Sequence, residues 1–384
     1  MNIKFLNSIQ DCPAEQWQSL FNTDYPFIQH NFLLSLETSG CTQAKTGWTP
    51  YHLIVLQADK PIAAMPCFIK THSYGEYVFD WSWADAYHQH GLEYYPKLLS
   101  AIPFTPATGP RIGFHRAINS IEEKMAIEHN IVQAITQQAK KINASSWHCL
   151  FSDLLSSNRL SSQNCTQRVG IQYHWFNKGF VSFNDFLDQF KSRKRKNIRK
   201  ERQRVIDQGI RMDVLSGEQI SHSKLQRFYH FYHLTYLKRS GQHGYLSLDF
   251  FSELLKNMTS QLVMICAFKE DILVGAALCF KDSQTLYGRY WGCEKEYDFL
   301  HFEACYYQGI EYCIEQQLQR FDPGAQGEHK IPRGFEPIKT YSNHAIFHPE
   351  FKAAIDNFLT QESNHVDQHI IELEELLPFK SMTG

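Results

Sequence analysis

Two stretches of the chain follow one plan, and that repetition limits what it can fold into. Residues 51–70, "YHLIVLQADKPIAAMPCFIK", form an apolar run, an Asp-Lys turn and a second run that opens on small residues. Residues 262–282, "LVMICAFKEDILVGAALCFKD", do the same around Lys-Glu-Asp, with Gly275-Ala-Ala at the start of the second run. Each reads as a β-hairpin. Each is followed further on by an amphipathic helix and a short strand: "EEKMAIEHNIVQAITQQAKKI" then "WHCLF", and "FEACYYQGIEYCIEQQLQR" then "RFD". A supersecondary plan met twice predicts two similar α/β domains. The 384 residues agree with this, because one core stops growing at roughly 250–300 residues. The division is expected near 168–180, giving domains 1–172 and 173–384. Further helices are expected at 14–21, 28–38 and 349–360.

The opening "MNIKFLNSIQDCPAEQW" has no apolar core of the signal-peptide kind. The longest apolar runs, "LVMICAF" and "LVGAALCF", hold seven and eight residues, against the roughly 20 a membrane-spanning helix needs. A cytoplasmic protein with no integral membrane segment is the expectation. Ten cysteines without a C-x-x-C pair are read as reduced, mostly buried thiols.

Charge is unevenly placed. The chain sums to −2, yet "KSRKRKNIRKERQR" (191–204) carries nine Lys or Arg against one Glu. Phe186, Phe190, Ile198 and Val205 recur at helical spacing, so one helix with a cationic outer face is predicted, ending at Gly209 before a strand, "IRMDVL". Such a face is either solvated or an anion seat built on Arg193, Lys194, Lys196 and Arg199. In the second case tRNA, a nucleotide sugar or a coenzyme phosphate would meet it through phosphate contacts. No aromatic residue interleaves with the run, which argues against base stacking there.

Three other segments carry candidate chemistry. "GAQGEHKIPRGFEP" (324–337) holds Gln326, Glu328, His329, Lys330 and Arg333 among glycines and follows the strand "RFD". It matches neither a P-loop nor a dinucleotide fingerprint, and a loop at the C-terminal edge of a strand is where α/β proteins bind ligands. The plainer reading is a solvated surface turn. "KTHSYGEYVFDWSWADAYHQH" (70–90) gathers Glu76, Asp80, Trp81, Trp83 and Asp85. Read as extended, it places Tyr77, Phe79, Trp81 and Trp83 on one face and Asp80 on the other. Aromatic walls with convergent carboxylates suit a polar substrate bearing an amine; the plainer reading is an aromatic core with Asp85 as a helix N-cap. "YGRYWGCEKEYDFLHFEACYYQ" (287–308) joins Arg289, Tyr290 and Trp291 to His301 and Glu303. His301 and Cys305 share a helical face but lack the further ligands a metal would need, so no metal is expected. No G-x-S-x-G elbow and no cysteine-protease signature occurs, which argues against a covalent acyl-enzyme.

The blocks "PFIQHNFLLSLETSG", "KTHSYGEYVFDWSWADAYHQHGLEYYPKLLSAIPFTPATGPR", "RKRKNIRKER", "GRYWGCEKEYDFLHFEACYYQGIEYCIE" and "FDPGAQGEHKIPRGFEPIKTYSNH" resemble the proteobacterial FemAB-like family of predicted N-acyltransferases. The resemblance spans about 25–360. It implies two tandem domains of the GNAT (Gcn5-related acetyltransferase) type, with mixed, mainly antiparallel sheets flanked by helices. It also implies transfer of an acyl or aminoacyl group to an amine, by analogy with Fem-type enzymes of peptidoglycan synthesis. The acceptor would be a small molecule or a cell-wall precursor, and tRNA a partner. No tightly bound cofactor is implied; the donor would be aminoacyl-tRNA or acyl-CoA, although the coenzyme A loop of GNAT proteins, Arg/Gln-x-x-Gly-x-Gly/Ala, is missing. A binding protein on the same scaffold is the non-enzymatic alternative.

Direct aminolysis asks for an oriented amine, a proton acceptor and stabilisation of an oxyanion. On this reading Asp80, Asp85, Trp81 and Trp83 stand on the acceptor side. Glu303 or Glu328 takes the proton, and His329, Lys330 and Arg333 meet negative charge.

Overall fold

The computed structural model describes residues 1–241, 243–325 and 327–380. The chain divides into two compact units, 1–171 with 339–368, and 172–338 with 369–384. The division is therefore not a single cut. Residues 339–368 join the first unit because the strand Glu336–Ile346 pairs antiparallel with Ser146–Ser152, from Tyr341 opposite Ser152 to Ile346 opposite Ser146. The helix expected at 349–360 runs longer, over Pro349–Glu375.

In the first unit Asn2–Leu6, His52–Gln57, Lys60–Met65 and Gly113–Phe114 form an antiparallel four-stranded sheet. The hairpin between its middle strands turns on Ala58 and Asp59, both at positive φ, the geometry of a two-residue hairpin loop that follows strand twist. A second set of strands runs in the order Ser146–Ser152, Lys97–Ser100, Phe68–Lys70, Trp48–Pro50, with the first two parallel. The helix Ile121–Lys141 starts on a Ser120/Glu123 capping box and places Ile127, Ile131, Ile135 and Ala139 on one stripe. That stripe closes on Leu53, Val55, Leu98 and Trp147.

In the second unit Ile210–Ser216, Leu262–Lys269, Ile272–Lys281 and Thr285–Cys293 make an antiparallel meander. Arg320–Asp322 then pairs parallel to Thr285–Cys293, and the end of Thr166–Phe176 pairs antiparallel to Arg320–Asp322. A meander handed on to a parallel neighbour through a helix makes the second unit a mixed, mainly antiparallel α/β layer, and the first unit is α/β as well, the fold class expected from the sequence. The connecting helix covers 300–315, and its segment Glu303–Tyr307 is wound as a π-helix, a local form that concentrates at functional sites.

The basic run lies in one helix, but the helix expected to carry Phe186 and Phe190 as well is broken ahead of it. Phe183–Asp188 and Ser192–Asp207 are separate. Between them, Lys191 N–H donates to Pro378 O at 2.9 Å and Gln189 O accepts from Lys380 N–H at 2.8 Å. These bonds to the C-terminal segment replace the helical ones. Among the described residues no helix is long and apolar enough to cross a membrane, and the ten cysteines are free thiols, eight of them buried.

Candidate functional site

The second unit brings four elements to one buried cluster. Arg289 extends from the strand Thr285–Cys293, Asp322 ends Arg320–Asp322, His174 sits on Thr166–Phe176, and Lys330 belongs to the 3-10 helix Glu328–Arg333. Parallel pairing covers three positions and stops at Tyr287 opposite Asp322. Beyond it the side chains take over: Arg289 Nη2 lies 2.5 Å from Asp322 Oδ2, His174 Nε2 is 3.7 Å from Oδ1, and Gly324 N–H donates to Oδ1 at 2.9 Å. Lys330 Nζ donates to Gly324 O at 2.5 Å and is 1% exposed. Burial pushes Lys330 down to about 7 against the pull of Asp322, and pushes His174 down to about 4. Burial would raise Asp322, but Arg289 and His174 outweigh it and hold the carboxyl below its usual range. The cluster thus offers a fixed ion pair beside a lysine that exchanges its proton near neutrality.

Next along the same 3-10 helix, His329 is exposed, and its Nε2 lies 2.7 Å from the Tyr306 hydroxyl. Partial burial, with Lys330 and Arg333 nearby, lowers its pKa. Its ring lies against Gly327, where φ is +112° and a Cβ would fall 2.1 Å from His329 Cε1. His301, pushed down to about 4 mainly by burial, lies within ring contact of Trp291, Tyr306 and His329.

The structure gives several expected residues other work. Glu303 accepts two bonds from Arg202 Nε, at 3.2 and 3.1 Å, and one from Gln308 at 2.7 Å. Arg202 also binds Glu311, at 2.9 and 2.6 Å. Glu303, one of the two expected proton acceptors, thus ties the basic helix to the π-turn. Glu328 is exposed and 3.6 Å from His369. Arg333 is buried, pairs with Glu201 at 2.9 Å, donates to His329 O at 2.6 Å and lies 3.5 Å over the Phe302 ring. Tyr290 is a buried core ring packed on Tyr232 and Phe251. Gln326 lies outside the described residues. Asp322 and His174 were not singled out from the sequence.

On the helix Ser192–Asp207, Arg193, Lys196, Arg199 and Lys200 are exposed and Lys194 is half-buried. Arg195 pairs with Asp188 and Arg204 with Asp298.

In the first unit the carboxylates and aromatic rings separate, but not along an extended strand. Trp81–Gln89 is a helix, so Trp81 is exposed while Trp83 is buried. Asp85 lies inside that helix, facing solvent, and is not an N-cap. Asp80 stands at the N-cap position without capping, because Lys97 Nζ and the Tyr94 hydroxyl, at 2.6 Å, hold its Oδ2. Lys97 also donates to Glu76 Oε2 and Ser73 Oγ, each at 2.8 Å. Burial pushes Glu76 up to about 7 and Lys70 down to about 7. Behind Tyr94, His148 and His344 share a 2.6 Å bond between their Nδ1 atoms. Among the described residues no three His, Cys, Asp or Glu side chains gather as a metal site.

A family model, FemAB-like, described as peptidoglycan biosynthesis and recognition, matches residues 8–381. Solved structures similar to the chain include FemX, at 10% identity and a TM-score of 0.53, covering 93% of this chain and 100% of that one. A conserved protein of unknown function from Bacteroides thetaiotaomicron matches at 10% identity and 0.52, covering 90% and 99%. The C-terminal domain of a putative lysylphosphatidylglycerol synthetase from Agrobacterium fabrum matches at 10% and 0.51, covering 90% and 96%. No curated protein matches the sequence significantly.

Proposed function

The chain belongs to the FemAB-like family, and we propose that it is an N-acyltransferase that moves an aminoacyl group from an RNA-borne ester to an amine, with the reaction centre in the second unit. The observation that carries this reading is His329, an exposed, neutral imidazole held by the Tyr306 hydroxyl and next in sequence to Lys330 of the buried Arg289–Asp322 cluster. In the tautomer whose Nε2–H is donated to Tyr306, Nδ1 is the base; in the other, the Tyr306 hydroxyl donates to Nε2.

The amine nitrogen attacks the ester carbonyl, and the new C–N bond forms as the nitrogen's proton passes to His329 Nδ1. The tetrahedral oxyanion is stabilised at a distance by positive charge on Lys330, which is buried and partly protonated near pH 7. Collapse breaks the C–O bond, and the proton leaves with the ribose hydroxyl. Arg289 and Asp322 position Lys330 by setting the charge around it. Arg193, Lys196, Arg199 and Lys200 have no ion-pair partner among the described residues, which suits a polyanionic donor.

The test is single-turnover transfer from a set of aminoacyl-tRNAs, with acetyl-CoA in parallel, to amine acceptors including peptidoglycan stem peptides. Expected is transfer from RNA, reduced about 10²–10⁴-fold in His329→Ala. Transfer from acetyl-CoA alone would replace the donor; full activity in His329→Ala would overturn the base.

A further inference from the structure

The helix Ser192–Asp207 shows cations to solvent and reaches inward with the two residues that follow them. Arg199 and Lys200 are exposed, whereas Glu201 and Arg202 are half-buried. Arg202 is taken up by Glu303 and Glu311, and its guanidinium lies 4.5 Å over the Phe183 ring. Glu201 meets the 3-10 helix Glu328–Arg333: its two oxygens accept from Arg333 Nη2, each at 2.9 Å, and the buried Tyr307 hydroxyl donates to Oε2. Arg333 also reaches the other way, where its Nη1 donates to the His329 carbonyl at 2.6 Å. A 3-10 helix ordinarily satisfies such a carbonyl with the N–H three residues on. Here that residue is Pro332, which has none. The guanidinium supplies the missing donor, with the Phe302 ring 3.5 Å away on its face and Glu201 fixing its far edge.

We propose, on the reading of His329 as the base, that Glu201 is a positioning residue for His329 acting through Arg333, so that one helix sets both the donor's seat and the place of the base. The geometric route runs from the Glu201 carboxylate through the Arg333 fork to the His329 main chain, while Tyr306 holds the ring. A second route is charge. Lys330 and Arg333 both stand close enough to lower the proton affinity of His329, and Glu201 offsets Arg333. Tyr306 and His301, which face the ring from the connecting helix, are neutral near pH 7, and the exposed Glu328 lies towards His369. Without Glu201 the guanidinium beside the base is left uncompensated, and a base beside two bare cations accepts a proton less readily. If Glu201 only packed the helix in place, the imidazole would not feel its loss, because Arg202 still holds the helix through Glu303 and Glu311.

The experiment compares the full chain with Glu201→Gln, which keeps the shape of the side chain and loses its charge. Histidine NMR needs no substrate, and the His329 signal is identified by its loss in His329→Ala. Its titration midpoint is expected to lie lower in Glu201→Gln than in wild type. In acyl transfer, kcat of Glu201→Gln is expected to fall at least about tenfold with KM for the donor within about twofold of wild type. The same fall is expected in Arg333→Lys, which keeps the charge but loses the fork, and no further fall when Glu201→Gln is added to His329→Ala. A rise in donor KM with kcat unchanged, or a loss that adds in full to that of His329→Ala, overturns the proposal. The two failures separate: an active His329→Ala removes the base, whereas an unmoved midpoint removes the positioning role of Glu201 whatever the activity.

Discussion

Arg289 and Asp322 form an ion pair closed to solvent, with Nη2 2.5 Å from Oδ2 and both side chains no more than 2% exposed. Such a pair is hard to break from one side, because the partner left behind is a buried charge without compensation. Asp322→Asn is therefore expected to cost about 3–5 kcal/mol of stability. Urea denaturation measures it, and a loss under about 1 kcal/mol would mean that water reaches Arg289.

Lys330 makes stability depend on pH in a direction that can be worked out. Its folded pKa, about 7, lies below its ordinary 10.5. Between those values the unfolded chain binds the extra proton, so the lysine's contribution to stability rises with pH, by up to about 1.4 kcal/mol per unit. Below about pH 7 both states are protonated and the cost of burying the ammonium is fully present. Lys330→Met is expected to be most stabilising relative to wild type at pH 7 and to lose that advantage towards pH 9. Paired denaturation curves at pH 7, 8 and 9 cancel the titration of the cysteines, which both proteins share. A difference that does not change with pH would place the ammonium in water.

Gly327 is expected to be irreplaceable for activity and only moderately important for stability. An alanine there must adopt φ +112° and put its Cβ where His329 Cε1 lies, at 2.1 Å. The backbone strain costs about 1–3 kcal/mol, but the displaced imidazole loses its place beside Tyr306. In Gly327→Ala, kcat for acyl transfer is expected to fall at least about tenfold with KM little changed, since a misplaced base affects the chemical step. A rise in KM alone would make the segment a binding loop.

These residues also show what a sequence can carry. Both hairpins, the helices after them and the short strands were legible, because periodicity and turn chemistry are local. Asp322 was not: it ends a three-residue strand, and its partners Arg289 and His174 lie 33 and 148 positions away in the chain. "DWSW" alternates like a strand, yet Asp80 answers to Lys97 and Tyr94, which turn the chain into a helix at Trp81. The break at 189–191 depends on a segment nearly 190 residues downstream. In each case a local pattern is overruled by a distant hydrogen-bond partner.

The basic helix allows a prediction in which two measurements move in opposite directions. Arg193 and Lys194 lie in the first turn of Ser192–Asp207, where the helix dipole is already positive and cations are unfavourable. Placed there without acids to balance them, they oppose the helix itself, which is consistent with an anion completing the site. The double variant Arg193→Glu/Lys194→Glu is expected to raise stability by about 0.3–1 kcal/mol per position at low salt. The same variant is expected to weaken tRNA binding and flatten the slope of log Kd against log salt by about 1 for each phosphate it no longer neutralises. Denaturation and filter binding at 50 and 200 mM salt report the two sides separately. Weaker binding with lower stability would mean that the substitutions damage the helix rather than an anion seat, and unchanged binding would move the polyanion to another surface.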